Sequence, residues 1–192
     1  MKRLFMKMAS LVMVSALVSA CGGSDEPVPP GNLAEVAQQQ GFTALVAAAT
    51  KANLVTALSS PTANLTVLAP TDAAFTTLAT QLGFSSATAM VTALPADALA
   101  SILSYHVLPA RRSAAQVIAG GASQPTIYTF SGQAATLAVS TTGGVKFGDA
   151  VLTQATVTTA DVPASNGVIH VIDKVLVPPG VLTIVQMAQA NP

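Results

Sequence analysis

The chain has a single cysteine, no tryptophan and two histidines among 192 residues. One cysteine excludes an internal disulfide framework and any CxxC metal or redox site, so packing alone has to hold the core. Two histidines cannot build the usual His-rich zinc site. Only 8% of the residues are charged and 4% aromatic, and no basic run of the kind that tracks a nucleic-acid backbone is present. The patterns GxSxG, HExxH, GxGxxG and the P-loop are missing, which leaves no motif for hydrolytic, metal-dependent or nucleotide-dependent catalysis. The expectation is a non-enzymatic chain with no cofactor and no metal. What the sequence does have is aliphatic: 51% of its residues are hydrophobic, many of them alanine, enough for the core of one ordinary domain.

The first twenty residues stand apart. Lys2, Arg3 and Lys7 precede an apolar run from Met8 to Ala20 that falls short of the roughly 20 residues needed to span a bilayer. A basic start, an apolar middle and small residues before a cut site are the pattern of a secretory signal. The segment Leu17-Val18-Ser19-Ala20-Cys21 resembles a bacterial lipobox, in which Ser19 and Ala20 let the peptidase approach and the Cys21 thiol takes a diacylglycerol. Residues 1–20 therefore read as a lipoprotein signal peptide, and Cys21 as the lipid attachment site through which the exported chain holds a bilayer. Gly22 after the cysteine, rather than Asp, favours the outer membrane if the host is Gram-negative, with leaflet orientation left open. Cleavage removes three cations and leaves five Lys and Arg against eight Asp and Glu, a formal charge of about −3. That balance does not suit a nucleic-acid groove.

Residues 21–31 carry GGSDEPVPPG after the cysteine, a composition of Gly, Pro, Ser and charge that makes a flexible tether. From Asn32 to Ser59 the apolar residues recur at helical spacing: Leu33, Val36 and Ala37, then Phe42, Leu45, Val46 and Ala49, then Leu54 and Leu58. Thr66 to Ala69 is a short strand stopped by Pro70, and Thr71-Asp72 offers a cap for a helix through Leu78. Helices are expected over 85–94, over 95–107 with Pro95 in the first turn, and over 113–119 ended by Gly120-Gly121. The period then changes. Thr126 to Phe130, Thr136 to Ser140, Val145 to Phe147, Val151 to Thr159 and Val168 to Val177 read as Thr- and Val-rich strands separated by Gly, Ser or Asp turns. Helices first and strands later argue for an α+β fold.

The most informative stretch is Asn166 to Pro179, NGVIHVIDKVLVPP. Asn166-Gly167 supplies two residues that tolerate positive φ, as a two-residue type I′ hairpin turn requires. The β-branched run after it suits a strand covered on both faces, and Pro178-Pro179 ends it because proline cannot donate to a ladder. His170 alternates with Val168 and Ile172 and reads as a core histidine, while Asp173 and Lys174 close the run on opposite faces. His106 falls at helical spacing from Leu99, Ile102 and Leu103, on the apolar face, where it needs a hydrogen-bond partner. Tyr105, one position round, is placed to reach solvent. The Asp72 carboxylate is positioned to accept the orphan N–H groups of its helix's first turn. Arg111-Arg112, the only basic pair outside the signal, is either a solvated loop or a contact for anionic sugars.

Three segments together resemble the fasciclin-like domain family. Thr66 to Phe75 (TVLAPTDAAF) is similar to its first signature, Tyr105-His106-Val107-Leu108-Pro109 to its central tyrosine–histidine motif, and Asn166 to Pro179 to its second signature, in the family's order and spacing. The resemblance covers residues 32–180. It implies a compact wedge of β-strands flanked by helices, a role in adhesion or binding at a surface, and no catalysis. It also implies Tyr105 and His106 as the candidate adhesion motif, with Asp72, Asn166, Gly167, His170 and Asp173 belonging to the structural motifs. Residues 181–192 contain Ile184 to Gln189 (IVQMAQ), which lines up with Leu33 to Gln38 (LAEVAQ). The tail reads either as the truncated opening of a second copy or as a helix that packs on the domain.

The functional expectation is a membrane-anchored extracytoplasmic module that recognises a surface protein or glycan, monomeric or acting by avidity, and binds no nucleic acid. The alternatives are a periplasmic structural lipoprotein supporting envelope assembly and a lipid or small-molecule carrier.

Overall fold

Local signals divide the chain into a helical and a stranded half, and a computed structural model describes both over residues 30–150 and 154–181. The first half holds α1 (Leu33–Gln39), α2 (Thr43–Lys51), α3 (Val55–Ser59), β1 (Leu65–Pro70), α4 (Asp72–Gln81), α5 (Ala87–Ala93) and α6 (Ala96–Tyr105). After β2 (Val107–Leu108) and α7 (Ala114–Ala119) come β3 (Ser123–Phe130), β4 (Gln133–Ser140), β5 (Lys146–Gly148), β6 (Gln154–Ala164) and β7 (Gly167–Ile172). The fold is α+β, helical first and stranded later. Side chains start the helices: Asn32 with Glu35, and Ser113 with Gln116, form reciprocal capping boxes on α1 and α7. Among the described residues no single helix is long and apolar enough to cross a membrane.

The strands form one seven-stranded sheet in the order β2-β1-β7-β6-β5-β4-β3. β1 and β7 run parallel, and the other neighbours are antiparallel. The two ends of that order, β2 and β3, lie against each other, so the sheet curls until its edges meet. This shape makes two cores. Val67, Ala69, Ile169 and Val171 pack under the helices with Phe75, Leu99 and Leu103. Leu68, Leu137, Phe147, Ile172 and Leu176 fill the inside of the curled sheet together with Tyr105 and Leu108. β7 sits between β1 and β6, and all six of its residues are buried, as an apolar run without alternation requires.

Three sequence expectations change. The helix expected over 95–107 stops at Tyr105, because Val107 pairs with Val67 and starts the edge strand β2. The strand expected from Val168 to Val177 ends at Ile172. Beyond it the buried N–H groups of Leu176 and Val177 are taken by side chains, His106 Nε2 at 2.9 Å and Asp149 Oδ2 at 3.0 Å, rather than by a ladder. The type I′ turn is also absent. Ala164 pairs with Gly167, so the two loop residues are Ser165 and Asn166, and neither Asn166 nor Gly167 has positive φ. Gly167 is required for a different reason: a Cβ there would lie 2.4 Å from the Leu65 carbonyl oxygen and 2.9 Å from Leu33 Cδ1. The first three residues of the strand expected from Val151 lie outside the described residues.

Candidate functional site

The tyrosine–histidine pair closes α6, which buries Leu99, Ile102 and Leu103 along one face. His106 is its C-terminal cap residue and is buried. Its Nδ1 lies 2.7 Å from the carbonyl of Ile102, one turn back, and its Nε2 accepts the N–H of Leu176. Those partners fix the neutral tautomer with the proton on Nδ1. Burial pushes its pKa down to about 4, although the Ile102 carbonyl favours the charged form. His106 thus ties the end of the helix to the strand-like segment after β7.

Tyr105 corrects the expectation of solvent access: it is 2% exposed. The face of α6 away from His106 is covered by the curled sheet, so both neighbours in the sequence are interior. The Tyr105 hydroxyl donates to the Thr136 carbonyl at 3.1 Å, and its ring meets Tyr128 edge to face with centroids 6.1 Å apart. Burial, with a smaller effect from the Asp149 carboxylate, raises its pKa to about 12. Tyr128 in turn donates to the Pro179 carbonyl at 3.0 Å. Tyr105, without His106, therefore lies at the floor of a shallow surface depression whose walls include Phe130, Gln133, Ala134 and Pro179.

Asp72 also corrects its expected role. Thr71 is the residue that caps α4, its hydroxyl accepting the N–H of Ala74 at 3.2 Å. Asp72 turns instead to α2, whose own cap position, Phe42, has no side-chain bond to offer. Asp72 Oδ1 accepts the N–H of Ala44 at 3.0 Å, and the Thr43 hydroxyl donates to Oδ2.

The second signature behaves similarly as a set of ties. Asn166 is buried; its Oδ1 accepts the N–H of Leu33 at 2.8 Å, and its Nδ2 donates to the carbonyls of Leu58 and Ser60 at 2.7 and 2.8 Å. His170 is a buried core histidine: Nδ1 accepts the N–H of Asp161 at 3.1 Å, which leaves Nε2 to donate to the Arg112 carbonyl at 3.0 Å. Burial lowers its pKa. Asp173 is exposed and receives the N–H of Thr156 on Oδ1 at 2.7 Å. Of the basic pair, Arg112 donates through Nη1 to Gln124 at 3.0 Å, and Arg111 lines an open polar groove with Asn64, Gln116 and Asp161. Cys21, the tether up to residue 29 and the tail from residue 182 lie outside the described residues.

Sequence reasoning missed the surface residues. Among the described residues three large hydrophobic side chains are exposed: Ile118, Ile127 and Phe130, the last two 43% and 44%. β3 carries two of them because its polarity is inverted. Gln124 and Thr126 point inward, satisfied by the Val117 and Ala135 carbonyls, while Ile127 faces out within an irregularity in the β3–β4 register and Phe130 faces out beyond it. No group of three or more His, Cys, Asp and Glu able to hold a metal occurs among the described residues.

Comparisons with known proteins agree with the three motifs. A family model of the fasciclin domain matches residues 40–178. The chain is 42% identical over 145 residues to protein sll1483 of Synechocystis sp. (strain ATCC 27184 / PCC 6803 / Kazusa), which covers 74% of this chain and 71% of that protein. It is 36% identical over 146 residues to protein sll1735 of the same organism, covering 76% of this chain and 96% of that one. Among solved structures, a FAS1 domain pair from the insect cell adhesion molecule fasciclin I aligns over 82% of this chain with 19% identity and a TM-score of 0.42, and the chain spans 48% of that structure's length. With the family model matched over most of its length and relatives above 30% identity, the chain belongs to the fasciclin domain family.

Proposed function

We propose that the chain is an extracytoplasmic adhesion module, held at a membrane through Cys21, that recognises a protein or glycan at the cell surface. Membership of a non-enzymatic, adhesion-type family supports the class of function. The observation that supports a location is the exposed Phe130 beside Pro179, over a floor made by buried Tyr105. In this reading the tyrosine–histidine motif acts by position. Tyr105 and His106 hold the sheet edge and the Pro178-Pro179 segment in place, and the partner touches Phe130 and its neighbours. Such a contact is shallow, so one copy binds weakly and many anchored copies gain by avidity. In a Gram-negative host the anchor belongs in the outer membrane.

The test is binding of the purified domain to intact cells, matrix proteins and surface polysaccharides, with Phe130→Ala beside the wild type. Binding that the folded variant loses supports the reading. Binding by neither protein removes adhesion in favour of envelope support, and equal binding moves the contact to another face.

A further inference from the structure

A small, almost wholly apolar cavity is a separate feature, bounded by α1, α2 and α3, the end of α6, the β1–β2 edge and Ile127 of β3. We propose that this cavity takes the end of a lipid acyl chain. The claim does not depend on the adhesion reading.

Its chemistry argues for hydrocarbon. Its lining contains no charged residue, and the polar members are Gln38, Ser104 and His106. Gln38 is on the exposed side. His106 has both ring nitrogens occupied, by the Ile102 carbonyl and the Leu176 N–H, so it offers nothing to a guest. A polar ligand would lose its hydration inside and find only the Ser104 hydroxyl to bond in return. An apolar cavity of this kind stays dry.

Its size argues for a chain end. The volume is about 70 Å³. A cavity of roughly 150 Å³ holds benzene, so one of less than half that volume suits the slender end of a chain, a terminal methyl with its nearest methylenes, better than a ring system. Its walls supply a way in. α3 has five residues, none of them buried, and its first turn has no side-chain cap, so its N-terminal end is the loose part of the wall, while Asn166 holds its C-terminal end through the Leu58 and Ser60 carbonyls. Ile127 extends the apolar lining to the surface.

Its place in the fold also suits a lipid. Leu33 and Ala34, at the start of α1, line the cavity. Cys21 is twelve residues upstream of Leu33, a reach of at most about 40 Å when extended. An acyl chain carried on Cys21 can reach the cavity, as can one from a neighbouring lipid or a free fatty acid.

The experiment uses the full chain carrying Cys21→Ser, titrated with the fluorescent fatty acid cis-parinaric acid and competed with palmitate. The expected result is saturable binding of one probe per chain, displaced by palmitate. Ala34→Phe, which fills the cavity, and Ile127→Asp, which places a charge at its mouth, should each weaken binding at least tenfold at unchanged melting temperature. Ile118→Asp, exposed elsewhere, should leave it unchanged. Absence of saturable binding overturns the proposal, and so does wild-type affinity in a folded Ile127→Asp protein, which remains decisive if Ala34→Phe does not fold. The chain with Cys21 intact then separates the sources. Reduced probe binding means that its own acyl chain occupies the cavity, and equal binding assigns the cavity to free or membrane lipid.

Discussion

Asp72 caps a helix that is not its own. It begins α4, yet its carboxylate accepts the Ala44 N–H of α2 and the Thr43 hydroxyl, 28 and 29 residues earlier in the chain. One carboxylate therefore satisfies an orphan helix donor and also fixes the angle between two helices. Asp72→Ala should lower stability by about 1 kcal/mol. Thr71→Ala should cost a similar amount through the separate cap on α4, because the two side chains serve different helices. Urea denaturation of the single and double variants checks this. Near-additive losses are expected, and an unchanged midpoint for Asp72→Ala would falsify the cross-helix cap.

His106 gives the fold a dependence on acid. Its folded pKa is about 4, below the ordinary 6.5, so protonation favours the unfolded chain. Stability is full above about pH 6.5 and falls as the pH drops towards 4, by roughly 2–3 kcal/mol near pH 4.5. His170 is shifted in the same direction and adds to the loss. His106→Phe should be less stable than wild type at neutral pH by about 1–3 kcal/mol, since the buried Leu176 N–H loses its acceptor. It should also show a shallower decline from about pH 7 to about pH 4.5. A decline as steep as that of wild type would assign the titration to His170.

How much of this could be read beforehand depends on the range of each interaction. The β7 run was legible because six buried residues without alternation leave a purely local trace, and α1 because Leu33, Val36 and Ala37 recur at helical spacing and are all buried. The partners of Asp72, Asn166 and His106 were not, because they are 28 to 133, and in the last case 70, residues away. Tyr105 was placed at the surface because periodicity assigns one buried face to a helix, and α6 ends in a position covered on two. Phe130 and Ile127 were hidden by the opposite error. They look like core residues, and only the inward Gln124 and Thr126 reveal that the strand is turned.

Asn166 and Gly167 separate two accounts of the second signature. If the pair served a turn with positive φ, Asn166→Gly would be harmless. With the observed contacts, Asn166→Gly and Asn166→Ala both strand the Leu33 N–H and the Leu58 and Ser60 carbonyls, and each should cost about 2–4 kcal/mol. Gly167→Ala should cost roughly 1–3 kcal/mol or more, because its methyl group would meet the rigid Leu65 backbone. Thermal denaturation of all three decides, and a wild-type melting temperature for Asn166→Gly would restore the turn account.

The tyrosine–histidine motif can be divided into a folding part and a contact part by two substitutions. Tyr105→Phe removes the hydroxyl that donates to Thr136 and keeps the ring against Tyr128, so stability should fall by about 1 kcal/mol while surface binding persists. Phe130→Ala removes a half-exposed ring that also rests against Gly180, so stability should fall by about 1 kcal/mol, leaving the domain folded, while binding falls. Tyr105→Ala is a poor probe of contact because emptying a buried aromatic site costs about 3–5 kcal/mol and disturbs the surface above it. Melting curves and cell-binding isotherms measured on the same preparations check both parts. Loss of binding in a fully folded Tyr105→Phe protein, with Phe130→Ala unaffected, would return the contact to the hydroxyl itself and require the sheet edge to open around it.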